Sequence, residues 1–215
     1  VRQSRYQVWS IVSILRLTSL YILNQMSAKK FDHILVVDLE ATCYENDIFP
    51  EGETSEIIEI GIAELEISSG KILRNESILV RPTRSRVSNY CTELTSLTYK
   101  QLKSEGCANF PQAVRRLIKG FGPKKRIWAA WGNSDKWKFE SDCKHWEIKY
   151  PFGSTYINIK DLYSLYCRMR CAMGLEKVLT KENIPKDGRA HRGYVDAKWA
   201  AMVLSRILWK GDSRY

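Results

Sequence analysis

Six consecutive residues, Ile34 to Leu39 (ILVVDL), constrain this chain more than any other segment: five are apolar, and an acid interrupts them at Asp38. A run this short and this apolar reads as a strand buried on both faces, not as a helix. Such a strand needs neighbours. Ile57 to Ile67 and Ile72 to Arg81 are two more β-like runs, joined by Ser68, Ser69 and Gly70 at the spacing of an antiparallel hairpin, so the first three strands form a meander. Arg126 to Trp131 and Tyr156 to Ile159 add two strands. Helical patterns cover Thr98–Lys103 and Phe110–Phe121, the latter with Ala113, Val114, Leu117 and Ile118 on one face. Further helices are expected from an N-cap at Ser134 through Trp137 and Trp146, over Leu162–Arg170 and Leu175–Asn183, and from Gly193 to Trp209. The expected fold is α/β, a mixed five-stranded sheet flanked by helices.

Composition narrows the class of partner. The 215 residues carry 34 Lys and Arg against 24 Asp and Glu, a formal charge of +10, which favours a polyanionic partner, nucleic acid or an anionic membrane surface, over a neutral small molecule. With 44% hydrophobic and 27% charged residues the chain is globular, which excludes disorder and collagen, and no internal repeat is visible. None of the six cysteines forms the C-x-x-C spacing of a structural zinc site; free thiols in a reducing compartment are expected, and with them a cytoplasmic location.

Residues 1–25 hold Arg2, Arg5 and Arg16 and no acid, and their apolar stretch from Val8 to Leu23 is broken by Arg16. That stretch is too short and too charged to span a bilayer, and no small-x-small cleavage site follows it, so no membrane association is expected. The expectation is an N-terminal extension over 1–25 outside the fold, and a single domain over 26–215 starting at Met26. Removing the extension's three arginines leaves the rest at +7, so the basic character persists.

Four acids and one histidine stand out against this frame. Asp38 and Glu40 are two apart on a strand and project from one face, where like charges repel unless a cation lies between them. Spacing alone leaves two readings open, a divalent-metal pair or two acids that have reached solvent at a strand end. Asp196 borders the apolar stripe of the last helix (Ala197, Ala200, Ala201, Leu204, Ile207, Leu208), where it is either a site residue or a first-turn acid favoured by the helix macrodipole. Asp135 follows a strand in AAWGNSD and by itself is an ordinary helix-opening acid. His191 sits in a loop punctuated by Pro185, Gly188 and Gly193, close enough to Asp196 in sequence for the two to share a site, or else simply exposed.

Together, Asp38 and Glu40 in VVDLEATC, Asp135 in WGNSD, and His191 with Asp196 in HRGYVDA resemble the three motifs of the DEDDh, or DnaQ-like, 3′-to-5′ exonucleases. Order, spacing and context agree over roughly residues 31 to 209. Within that superfamily the sequence looks most like the histone-mRNA 3′-exonuclease or enhanced-RNAi group and its bacterial relatives, through DLEATC, EIIEIG, CTELTSLT, YINIKDLY and GRAHRG. Val195 stands where relatives often carry a second acid, and Ser96 where the group usually has Gly.

The resemblance implies a ribonuclease H-like fold and two-metal hydrolysis with two Mg²⁺ ions, Mn²⁺ being able to substitute. It assigns Asp38, Glu40, Asp135 and Asp196 to the metals and His191 to deprotonation of the attacking water, with nucleoside 5′-monophosphates as products. It also brings Glu40 and the backbone of Ala41 to the terminal ribose; Tyr44 lies close enough in sequence to the site to stack on the terminal base, and His191 is expected to meet the substrate as well. Basic groups at Arg81, Arg84 and Arg86, at Lys124–Arg126, and at Arg189 and Arg192 are candidates to track phosphates. The expected partner is a single-stranded or 3′-overhanging nucleic acid, RNA before DNA. The rival readings are a DNA exonuclease of the same superfamily, a catalytically silent nucleic-acid-binding module, and a membrane-anchored regulator using residues 8–23.

Overall fold

The computed structural model describes residues 30–104 and 106–209, so the expected extension over residues 1–25 and the start at Met26 lie outside the described residues. The strand that opens the argument is β1 (Lys30–Ala41), and it lies at the centre. The sheet order is β3 (Ile72–Leu79), β2 (Ile57–Glu66), β1, β4 (Arg126–Ala130), β5 (Tyr156–Asn158). β1, β2 and β3 pair antiparallel and β4 pairs β5 parallel, so the sheet is mixed. Among the described residues seven α-helices flank it: α1 (Asn89–Thr95), α2 (Tyr99–Leu102), α3 (Phe110–Phe121), α4 (Ser134–His145), α5 (Ile159–Tyr166), α6 (Leu175–Lys181) and α7 (Gly193–Trp209). No helix among the described residues is long and apolar enough to cross a membrane.

Alternation along β1 divides the core. Leu35 and Val37 pack with α3 and α4 residues such as Val114, Leu117 and Phe139, and with Trp128, which stacks on Phe152. Ile34 and Val36 pack on the other face with Val178, Trp199, Ala200 and Leu204 from α6 and α7. Because side chains alternate, Asp38 and Glu40 continue the α7 side of the strand.

Local chemistry accounts for the ends of most elements. α3 starts with a capping box between Asn109 and Gln112 and stops at Gly122, whose φ of 55° places it in the left-handed region. α5 starts three residues before its expected position because the Asn158 side chain caps it by accepting from the Asp161 N–H, so β5 runs straight into the helix. α4 also starts one residue early: Asn133 is the N-cap and Ser134 the first helical residue. α1 escaped the sequence reading. It is seven residues long, capped by Ser88 and closed by Ser96, too short to show a period.

Candidate active site

The acids converge because two glycines let α7 touch the sheet. Gly61 on β2 lies opposite Asp38 on β1. A Cβ on Gly61 would fall 1.9 Å from the Gly193 carbonyl carbon, and one on Gly193 would fall 2.9 Å from the Asp38 carbonyl oxygen. No side chain fits between them, so the first turn of α7 lies against β1 and β2 and carries Asp196 to the strand acids.

A buried ion pair fixes that approach. Glu59, fully buried on β2, accepts from Arg192 Nε at 3.1 Å and Nη2 at 3.2 Å, and from the Gly193 N–H at 3.0 Å. The sequence reading passed over Glu59, although an acid inside the apolar run IIEIGI was a signal that a partner must exist. Arg192, nominated as a phosphate contact, is engaged here instead.

On the other side, α4 follows directly from β4 and presents Asp135, which is buried and whose Oδ1 accepts the Leu39 N–H at 2.9 Å. That bond fixes one carboxylate oxygen to the β1 backbone between Asp38 and Glu40. His191 is exposed and adopts φ 61°, in the left-handed region, a conformation uncommon for histidine. Its N–H donates to Asp196 Oδ2 at 2.9 Å, which ties the loop to the helix acid. Glu40, His191 and Asp196 offer ligand atoms that all lie within 4.8 Å of one another.

These groups share one cleft of about 440 Å³, lined by Asp38, Glu40, Asp135, His191 and Asp196 and walled by Trp131, Ser134, Leu175 and Lys177. Trp131 is only partly buried and faces this cleft. Tyr44 is placed elsewhere: its hydroxyl donates to Glu53 Oε2 at 2.7 Å and its ring meets Phe49 edge-on at 5.1 Å. Ala41 ends β1 just past a bulge after Glu40.

The electrostatics of the cleft are those of a site short of positive charge. Burial first, then the charges of Asp135, Glu40, Asp196 and Glu59, hold the Asp38 carboxyl well above the ordinary carboxylate range. Burial together with Asp196, Glu59 and Asp135 pushes Glu40 up to about 8. Burial raises Asp135 and Asp196 to about 6 each, against hydrogen bonds from the Leu39 and His191 N–H groups that act in the opposite direction. A hard divalent cation suits such an all-oxygen set, since it would supply the charge these carboxylates lack.

Most of the other basic residues nominated from sequence are engaged in the fold. Arg84 pairs with Asp142 at 2.6 Å, Arg126 with Asp32 at 2.8 Å and Arg86 with Glu53 at 2.7 Å. Arg81 donates to the Ser104 and Cys107 carbonyls, Arg189 to the Glu93 carbonyl and Lys124 to the Phe152 carbonyl.

Comparison with known proteins places the chain in a family. The RNase_T family model, described as an exonuclease, matches residues 35–204. The 3′-5′ exonuclease Snipper of Drosophila melanogaster is 25% identical over 206 residues, covering 87% of this chain and 73% of the relative. ERI1 exoribonuclease 2 of Danio rerio is 26% identical over 206 residues, covering 85% of this chain, which spans only 36% of that longer relative. Among solved structures, the nuclease domain of 3′hExo, a DEDDh family member bound to rAMP, is 29% identical with a TM-score of 0.76, covering 86% of this chain and 96% of that one. The chain belongs to the RNase_T exonuclease family and is a 3′-to-5′ exonuclease of the DEDDh superfamily, with the ribonuclease H-like fold of that group.

Proposed function

We propose that this protein is an exoribonuclease that hydrolyses single-stranded or overhanging RNA from its 3′ end with two Mg²⁺ ions, releasing nucleoside 5′-monophosphates. The observation that carries this reading is the convergence of Asp38, Glu40, Asp135 and Asp196 beside a histidine in one cleft, their pKa values raised by burial first and then by neighbouring carboxylates. In this reading the four carboxylates hold the ions, and Mn²⁺ can replace Mg²⁺. Bound there, the divalent ions would supply the positive charge that a phosphodiester and its leaving oxygen need during hydrolysis.

The protein's own groups do the rest. His191, exposed at the cleft, takes the proton of the attacking water, and its left-handed backbone together with the N–H bond to Asp196 sets where the imidazole can reach. Asp135, held by the Leu39 N–H, keeps one oxygen fixed and offers the other to the cleft. Glu40 and the Ala41 backbone, at the strand's end, bind the terminal ribose, whereas Tyr44, held by Glu53 and Phe49 outside the cleft lining, is left out of the stacking role the sequence suggested. The names of the relatives support RNA over DNA, two of those compared being an exoribonuclease and an exonuclease bound to rAMP. A single exonuclease domain over residues 26–215 and a cytoplasmic location complete the reading; six free thiols suit a reducing compartment.

The test is incubation of the purified protein with 5′-labelled single-stranded RNA and matching DNA, each with a free or blocked 3′ end, in Mg²⁺ or EDTA. A metal-dependent ladder from the free 3′ end, longer on RNA, is the expected result. Equal shortening of both strands moves the reading to a DNA exonuclease, and binding without shortening moves it to a silent nucleic-acid-binding module.

A further inference from the structure

A cleft with four acids must bind a polyanion, and the cations nominated from sequence to help are largely engaged elsewhere. Three lysines beside the cleft are not. Lys177 lines it from α6. Lys160, in the first turn of α5, runs past the Gly132 turn, its Cδ 3.9 Å from the position a Cβ on Gly132 would take. Lys136 on α4 holds its Nζ 5.3 Å from the centroid of the Tyr156 ring, whose hydroxyl donates to the Gly132 carbonyl. Among the described residues none of these three ammonium groups has a carboxylate partner. They flank the turn from Trp131 to Asp135 that forms one wall of the cleft.

An aromatic residue stands on the same wall. Trp137 is 63% exposed, and among the described residues it stacks on no other ring. Ser134 lines the cleft, and residues three apart on a helix are surface neighbours, so the Trp137 indole lies one step along α4 from the cleft edge. Its neighbours Asp135 and Phe139 are buried and hold that part of the helix in place.

We propose that Trp137, with Lys136, Lys160 and Lys177, forms the track that holds the nucleotides 5′ of the scissile one, the indole stacking on a base and the lysines meeting phosphates. The proposal rests on the nuclease reading and adds to it a substrate length over which affinity builds. Stacking tolerates any base, so the track favours unpaired strands without reading sequence.

The test compares wild type, Trp137→Ala, Trp137→Phe and the Lys136→Ala/Lys160→Ala pair on 5′-labelled RNA of about three and about twelve nucleotides. Binding of the same oligonucleotides is read by fluorescence anisotropy in the Asp38→Asn background. Trp137→Ala should raise KM on the longer RNA about tenfold with kcat unchanged, leave the shorter RNA unaffected, and be largely rescued by Trp137→Phe. The lysine pair should reduce the salt dependence of binding to the longer RNA by roughly one ion. Equal changes on both lengths, no change, or a loss confined to kcat would overturn the track while leaving the nuclease intact. If the wild type cuts neither RNA, the nuclease reading fails, and the anisotropy decides the track by itself: a loss confined to the longer strand sustains it, and unchanged binding ends it.

Discussion

Two groups of buried and half-buried acids lie within this fold, and they are treated in opposite ways. Around the 82–86 loop, Glu56 accepts the Thr83, Arg84 and Ser85 N–H groups, while Asp142 holds Arg84 at 2.6 Å, Lys138 at 3.3 Å and the Ile57 N–H at 2.8 Å. Every charge there has its partner inside the chain. In the cleft, Asp38, Glu40, Asp135 and Asp196 face one another; the hydrogen bonds they receive come from the Leu39 and His191 N–H groups and the Ser134 side chain, and among the described residues none forms an ion pair with a lysine or arginine. The first group fastens a loop to the sheet; the second leaves a deficit of positive charge that only something from solution can fill. Burial alone therefore does not mark a functional acid, whereas burial without a protein cation does.

Removing one acid or cation from each group tests that contrast most directly. Asp38→Asn should lower kcat by on the order of 10³-fold while leaving the metal-free melting temperature unchanged or higher, because a neutral amide relieves repulsion. A fall in both would place Asp38 in the compensated class. Arg84→Ala, by contrast, strands Asp142 and should cost about 3 kcal/mol in chemical denaturation, since breaking a buried pair leaves an unmatched charge. Lys138 remains beside Asp142, so a loss below about 1 kcal/mol would show that lysine to be sufficient.

The pH dependence should separate the groups again, by a few kcal/mol at most. Glu40 holds its proton up to about 8 in the folded protein against an ordinary 4.5. The folded state then binds more protons across that window, so stability in EDTA is full below the lower value and falls as pH rises toward the upper one. Saturating Mg²⁺ should flatten the slope between pH 5 and pH 8, and a slope that survives Mg²⁺ would remove the metal from the explanation. The smallest effect is expected outside both groups. Ser96 closes α1 at φ 61°, in the left-handed region that favours Gly, so Ser96→Gly should raise stability by about 1 kcal/mol with kcat and KM unchanged.

Much of this was legible in the sequence, for reasons specific to each segment. The five strands announced themselves because apolar runs of that length have few other uses, and α7 showed its stripe over 17 residues. The four acids and His191 were nominated by motif and order, and the fold brings all five to one cleft. What could not be read was pairing across the chain. Arg84, Arg126 and Arg192 look alike as sequence, and only the fold shows that Asp142, Asp32 and Glu59 engage them. The same holds for Lys136, which the fold brings over the Tyr156 ring of β5, and for Lys160, which it brings past the Gly132 turn. Glu59 was missed because a strand's register, not its composition, brings that acid to the start of α7.

The Gly61–Gly193 contact also has a consequence for timing. Chains are made from the N-terminus, so Asp38, Glu40 and Asp135 exist, and the sheet that carries them can assemble, before α7 is available to dock. Until Gly193 settles on Gly61, the cleft lacks Asp196 and His191 together, because the His191 N–H is tied to the Asp196 carboxylate. A nascent or clipped chain short of that helix thus lacks the complete site, and hydrolytic competence waits on the docking of α7.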